Sequence, residues 1–90
     1  MKPRKTRGEM LLKHAGSVVE NRRATYGEPG EAMAAIAKRW SLTLGVSVSA
    51  AQVVLCLIDL KLTRLARDPK HLDSQVDVAG YAAMLREVAR

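Results

Sequence analysis

Apolar residues recur every three to four positions in four successive stretches of the sequence, with charged residues between them. That spacing places the apolar side chains on one side of a helix, where they can pack on a core. Prolines and glycines separate the stretches, and these residues break helices or allow turns. The pattern predicts an all-α fold with helices at about residues 9–23, 30–44, 50–67 and 73–88.

The third stretch differs because it is apolar on almost every side over its first half. Between Val53 and Leu60 the only charged residue is Asp59, and Cys56 is expected to be an inert core residue. A helix of this kind must be buried on most sides, and a chain of 90 residues has little core in which to bury it. We therefore expect a homo-oligomer in which the third helix completes a four-helix bundle.

Several residues mark the ends of the predicted helices. Gly27 can take a positive φ after the first helix, Pro29 suits the start of the second, and Gly45 is expected to cap its end. Ser49 and Gln52 have the spacing of a capping box before the third helix, and Asp73 is expected to cap the fourth.

Gly80 lies in the middle of the predicted fourth helix. Glycine costs about 1 kcal/mol relative to alanine in a helix interior. Its presence there predicts a close approach by another helix or by a ligand.

Composition narrows the class of protein. The single cysteine excludes an internal disulfide framework and a cysteine-based zinc site. No apolar run approaches the roughly 18–20 residues of a membrane span, and no signal-peptide pattern follows the basic start of the sequence. We expect a cytoplasmic protein.

Positive charge is concentrated at the start of the sequence. Of the 15 basic residues, four lie in the first eight positions, and the remaining 11 nearly balance the 9 acidic residues. We expect residues 1–8 to form a disordered basic tail and residues 9–90 to form a single helical domain. Such a tail can neutralise nucleic-acid phosphates, so contact with nucleic acid is one expectation and a merely solvated terminus is the other.

Two pairs of basic residues are candidates for binding phosphate. Arg22 and Arg23 stand beside Tyr26, so that guanidinium groups and an aromatic face could hold a phosphate and a base. Lys61 and Arg64 are neighbours on one face of the third helix. The alternative for both pairs is structural, since basic residues near the end of a helix are favoured by its dipole.

Asp59, Asp73 and Asp77 are candidate ligands for Mg²⁺. Asp73 and Asp77 are four residues apart and share a helix face, and magnesium prefers carboxylates together with water and substrate phosphate. Alternatively, Asp59 forms a salt bridge, Asp73 caps a helix, and Asp77 complements the helix dipole.

Four motifs follow a known pattern: Arg-x-x-Tyr-Gly-Glu-Pro at residues 23–29, Ala-x-x-Trp-x-x-x-Leu-Gly at 37–45, Lys-Leu-x-Arg-Leu at 61–65 and His-x-Asp-Ser-x-x-Asp-x-x-Gly-Tyr at 71–81. Together they resemble the motifs of small uncharacterised phage and prophage proteins, which implies the cytoplasm of the host cell as the location if the protein is encoded by a phage. The sequence is also similar, more distantly, to the all-α nucleotide pyrophosphohydrolases of the MazG and dimeric dUTPase type. This resemblance implies a MazG-like helical oligomer that holds Mg²⁺ with Glu-x-x-Glu and Glu-x-x-Asp motifs on successive helices.

The metal motifs of those hydrolases are only half retained. Cys56-x-x-Asp59 and Ser74-x-x-Asp77 each keep the last acid and lack the first. Hydrolysis of a phosphoanhydride needs the metal to neutralise charge and to generate the attacking hydroxide. No residue is therefore assigned as catalytic, and the departure favours binding over hydrolysis.

We expect a phosphorylated, nucleotide-like ligand, for sequestration of a nucleotide or of a defence signal. In this interpretation Asp73 and Asp77 hold ribose hydroxyls or a metal, and Arg22, Arg23, Tyr26, Lys61 and Arg64 complete the site. One alternative is a Mg²⁺-dependent pyrophosphohydrolase. The other is a helical adaptor that binds a protein partner or DNA through the basic tail.

Overall fold

The computed structural model describes residues 4–89, and every regular element in that part of the chain is an α-helix. The all-α prediction is confirmed; the MazG-like arrangement and the completion of the bundle by other subunits stay predictions. In the described residues no helix is both long and apolar enough to span a membrane. The helices are α1 (Arg7–Tyr26), α2 (Pro29–Leu44), α3 (Ala50–Arg67) and α4 (Leu72–Val88).

Local capping fixes the start of α3 and the end of α2 as predicted. The Ser49 side chain accepts a hydrogen bond from the Gln52 amide at 3.1 Å, and the Gln52 side chain accepts one from the Ser49 amide at 2.9 Å. Gly45 is left-handed with φ 71°, and its amide donates to the Ser41 carbonyl at 2.9 Å. These reciprocal bonds satisfy backbone groups that a helix end leaves free.

The start of α4 corrects one prediction, because His71 rather than Asp73 is the N-cap. His71 Nδ1 accepts a hydrogen bond from the Ser74 amide at 3.3 Å and lies 2.8 Å from Ser74 Oγ. Asp73 lies in the first turn of the helix instead, where a carboxylate complements the helix dipole.

The start of α1 lies two residues inside the segment expected to be a tail. Thr6 is its N-cap, and the Thr6 hydroxyl accepts a hydrogen bond from the Glu9 amide at 3.1 Å. Arg7 and Gly8 therefore belong to the helix. Residues 1–3, where Lys2 of the predicted basic tail falls, lie outside the described residues.

The main core lies between α2, α3 and α4. Its buried members are Met33 and Ala37 from α2 and Val53 and Val54 from α3. Partly buried side chains from α4 close the core on its other side. These include Tyr81, Met84, Leu85 and Val88.

The helix α1 is attached to α4 more than to the rest of the fold. Within Arg7–Tyr26 only Ala15 is buried. A Cβ atom built on Gly80 would lie 3.6 Å from Cγ2 of Val19, so α1 crosses α4 next to this glycine. The predicted close approach at Gly80 is thus made by a helix.

Replacing Gly80 with alanine should stabilise the fold. The added methyl group meets Val19 at an ordinary contact distance, while the helix gains about 1 kcal/mol. For a domain of this size that gain corresponds to a melting temperature roughly 4–8 °C higher. The matched control is Gly16→Ala in α1, whose methyl group would meet nothing within 4 Å, so it should raise the melting temperature through helix propensity alone. A melting temperature that is lowered by Gly80→Ala but not by Gly16→Ala would contradict the contact distance at Gly80.

The helix α3 is less enclosed than its sequence suggests. Val53 and Val54 are buried, but Leu55, Leu60 and Leu62 are exposed. Cys56 is exposed as well, so its assignment to the core was wrong. One side of this apolar helix is open to solvent in the single chain.

Candidate ligand-binding cleft

A cleft of about 480 Å³ lies between the C-terminal half of α1, the turn that follows it, the start of α2, and α4. Its floor is apolar and its rim is polar, which is the usual character of a small-molecule site. The floor includes Val19, Met33, Val76, Gly80 and Met84, and the rim includes Arg22, Arg23, Tyr26, Glu28 and Glu87.

Helical spacing brings the residues of α1 to one wall of the cleft. Three residues follow Val19 by three, four and seven positions, namely Arg22, Arg23 and Tyr26. Residues at those spacings share a helix face. Gly27 then turns the chain with φ 84° and ψ −164°, a conformation that is almost restricted to glycine. The helix α2 begins two residues later, at Pro29, which also lines the cleft.

The opposite wall comes from a stripe along α4. Asp77, Gly80, Met84 and Glu87 all line the cleft and follow one another at intervals of three and four residues. Since Gly80 has no side chain, α1 approaches α4 closely here, and a Cβ atom on Gly80 would already touch Val19.

Asp77 is held by an ion pair with Lys61. The Lys61 Nζ atom lies 3.1 Å from Oδ2 of Asp77, and the two side chains are only 17% and 27% exposed. An ion pair shielded to this extent is stronger than one in open solvent. Asp77 lines the cleft, whereas Lys61 does not. Lys61 contacts the Asp77 carboxylate from α3, and this contact holds the carboxylate in place and neutralises its charge.

Two other predicted binding residues lie away from the cleft. Arg64 and Asp73 are exposed, and neither is among the residues that line the cleft. A second, shallower hollow of about 720 Å³ lies against α2 and the loop after it, and its lining contains none of the predicted site residues. Arg22, Arg23, Tyr26 and Asp77 are therefore the predicted residues that the fold brings together.

The carboxylates proposed for Mg²⁺ do not form a cluster. Asp59 is exposed on α3, and Asp77 is paired with Lys61. Within residues 4–89 no three side chains of histidine, cysteine, aspartate or glutamate stand close enough to hold a metal ion. The arrangement of Asp59, Asp73 and Asp77 thus does not fit the magnesium site that the hydrolase resemblance implies.

Sequence reasoning did not identify three polar residues of the cleft, Glu28, Tyr81 and Glu87. Glu87 could have been found, because it lies seven residues after Gly80 on the same helix face. Glu28 and Tyr81 carry no such signal, since their places depend on how α1 and α4 pack.

Comparisons with known proteins place the chain in a family. Residues 10–89 match DUF6378, a domain of unknown function. Over 80 residues the chain is 32% identical to the Gene 55 protein of Mycobacterium phage L5. That match covers 87% of this chain and 51% of the relative, so the chain spans about half the length of the curated protein it matches.

No solved structure matches the chain. The phage relative agrees with the phage-type resemblance noted in the sequence, whereas the likeness to pyrophosphohydrolases stays a prediction. The match to the family extends over nearly all of the described residues. The chain is therefore a phage-type protein that belongs to the DUF6378 family.

Proposed function

We propose that the cleft binds a phosphorylated, nucleotide-like small molecule. The observation that carries this proposal is the convergence of Arg22, Arg23, Tyr26 and Asp77 on one concave surface with an apolar floor. Asp77 is far from the other three in the sequence. A cleft of about 480 Å³ is also within the usual size range of small-molecule sites.

The phosphate end of the ligand is assigned to the two arginines. Guanidinium groups bind phosphate oxygens in pairs of charge-assisted hydrogen bonds. The start of α2 lies at the same rim, and its N-cap, Glu28, makes no side-chain capping bond. Backbone amides at a helix start favour anions, but Gly30 and Glu31 of the first turn of α2 do not line the cleft and Pro29 has no N–H. Arg22 and Arg23 are therefore the groups assigned to the phosphate.

The base and sugar are assigned to the remaining surface of the cleft. Tyr26 is 78% exposed at the rim, which leaves an aromatic face available for stacking. Asp77 and Glu87 line the α4 wall, and carboxylates accept hydrogen bonds from ribose hydroxyls or from amino groups of a base.

Binding without turnover is the form of the activity that the site supports. Lys61 neutralises Asp77, and the described residues provide no cluster of three metal ligands. A protein that binds a nucleotide and does not hydrolyse it can act by sequestration. The proposal therefore favours sequestration of a nucleotide or of a nucleotide signal over the pyrophosphohydrolase alternative.

Calorimetry with nucleoside mono-, di-, tri- and cyclic phosphates tests this proposal, with the unphosphorylated nucleosides as comparison ligands. Replacing both Arg22 and Arg23 with glutamine should weaken phosphate-dependent binding by about tenfold to more than a hundredfold, because each charge-assisted bond contributes roughly 1.5–3 kcal/mol. Affinity for the unphosphorylated nucleosides should change little.

The matched control is the double replacement of Arg64 and Arg67 with glutamine. It removes the same charge from exposed positions of α3 that do not line the cleft, so it should preserve binding. Equal losses in both double variants would show attraction by net charge alone. No binding of any nucleotide to the wild-type protein at millimolar concentration would refute the proposal.

A further inference from the structure

A regular seam of apolar residues runs along α3 at the edge of the face that packs on the core, and its central member, Ile58, contacts the core cluster. Its members alternate at spacings of four and three residues, which is the repeat of helices that pair in a left-handed coil. Leu55 and Leu62 in this seam are 48% and 47% exposed, and the others are half-buried. The seam consists of Ala51, Leu55, Ile58, Leu62 and Leu65.

The surface area of the chain is larger than a folded monomer of its mass requires. Its accessible surface is 7201 Å², whereas a compact monomer of 9.8 kDa exposes about 5,200 Å². The radius of gyration is 15.0 Å, against about 12 Å for a compact domain of this length. The excess of about 2,000 Å² exceeds the roughly 800 Å² that each partner buries in a standard interface.

We infer that this seam pairs with the same seam of a second copy of the chain. A two-fold dimer brings identical surfaces together and needs a patch that is complementary to itself. The seam is centred on Ile58, so antiparallel pairing would set the small Ala51 of one copy against the large Leu65 position of the other. Alternation of small and large side chains allows two helices to pack closely.

The pairing leaves the cleft accessible. The residues that line the cleft come from α1, the α1–α2 turn, α2 and α4, with none from Ala50–Arg67. The dimer and the proposed ligand site are therefore independent, and each can be tested without the other.

Sedimentation equilibrium over a range of concentrations tests the inference. The wild-type chain should have twice its mass of 9.8 kDa, and the double variant Leu55→Glu/Leu62→Glu should dissociate to the single mass. Both leucines are about half exposed in the single chain, so circular dichroism should show that helix content is kept. If the glutamate variant loses helix content, the milder Leu55→Ser/Leu62→Ser variant replaces it in the test. That variant should also dissociate to the single mass.

Met10→Glu/Leu12→Glu is the matched control, because these two residues are exposed apolar positions of α1. It should keep the mass of the wild type. A wild-type mass of 9.8 kDa at every concentration would overturn the inference. So would α3 variants that stay dimeric, or equal dissociation of the α1 and α3 variants.

Discussion

Replacing Lys61 with methionine should lower the free energy of unfolding by roughly 2–3 kcal/mol. The substitution keeps the length of the side chain but removes the charge 3.1 Å from Asp77 Oδ2. The Asp77 carboxylate would then remain half-buried without its partner. Loss of one member of a fully buried pair costs about 3–5 kcal/mol, and partial exposure of this pair reduces the cost.

Urea unfolding of Lys61→Met, Asp77→Leu and the double variant measures the ion pair directly. The double variant should lose less stability than the sum of the single variants, because it leaves no unpaired charge. Arg64→Met, at an exposed position of the same helix, is the control and should change stability by no more than about 0.5 kcal/mol. Equal effects of Lys61→Met and Arg64→Met would show that the ion pair contributes little.

Replacing Gly27 with alanine should lower the free energy of unfolding by roughly 1–3 kcal/mol. Gly27 has φ 84° and ψ −164°, and a Cβ atom makes this conformation unfavourable for other residues. The turn forms part of the cleft wall. We therefore also expect the variant to weaken ligand binding, by displacing Arg23 and Tyr26 relative to α4.

Gly45→Ala separates the two effects of the Gly27 substitution. Gly45 has a left-handed conformation with φ 71° and ψ 18°. Alanine at this position should therefore lower the free energy of unfolding by about 1 kcal/mol. Because Gly45 does not line the cleft, nucleotide affinity should stay unchanged. A Gly27→Ala protein with wild-type stability would show that the turn takes another conformation in solution.

Helix ends were predictable where the signal is local. Ser49 and Gln52 belong to a reciprocal pair that acts over three residues, so the start of α3 follows from the sequence. The start of α4 was misplaced because two residues compete for the cap, and the imidazole of His71 takes the role expected of Asp73.

Burial of α3 and the full set of cleft residues were less predictable. Apolar residues surround the first half of α3, so their periodicity does not tell which side faces the core; Cys56 was misassigned for that reason. In the cleft, Arg22, Arg23 and Tyr26 are close in sequence and were identified together. The pairing of Lys61 with Asp77 depends on how α3 packs on α4, which no local signal encodes.

The packing of α1 mainly on α4 has a consequence for how occupancy of the cleft and stability are linked. Only one side chain of α1 is buried within Arg7–Tyr26. A ligand that contacts both α1 and α4 in the cleft would therefore stabilise the packing of α1 on α4. Binding to the docked form alone shifts the equilibrium toward that form. The bound nucleotide would thus hold α1 on α4, and amide hydrogen exchange along α1 should become slower as the cleft is saturated.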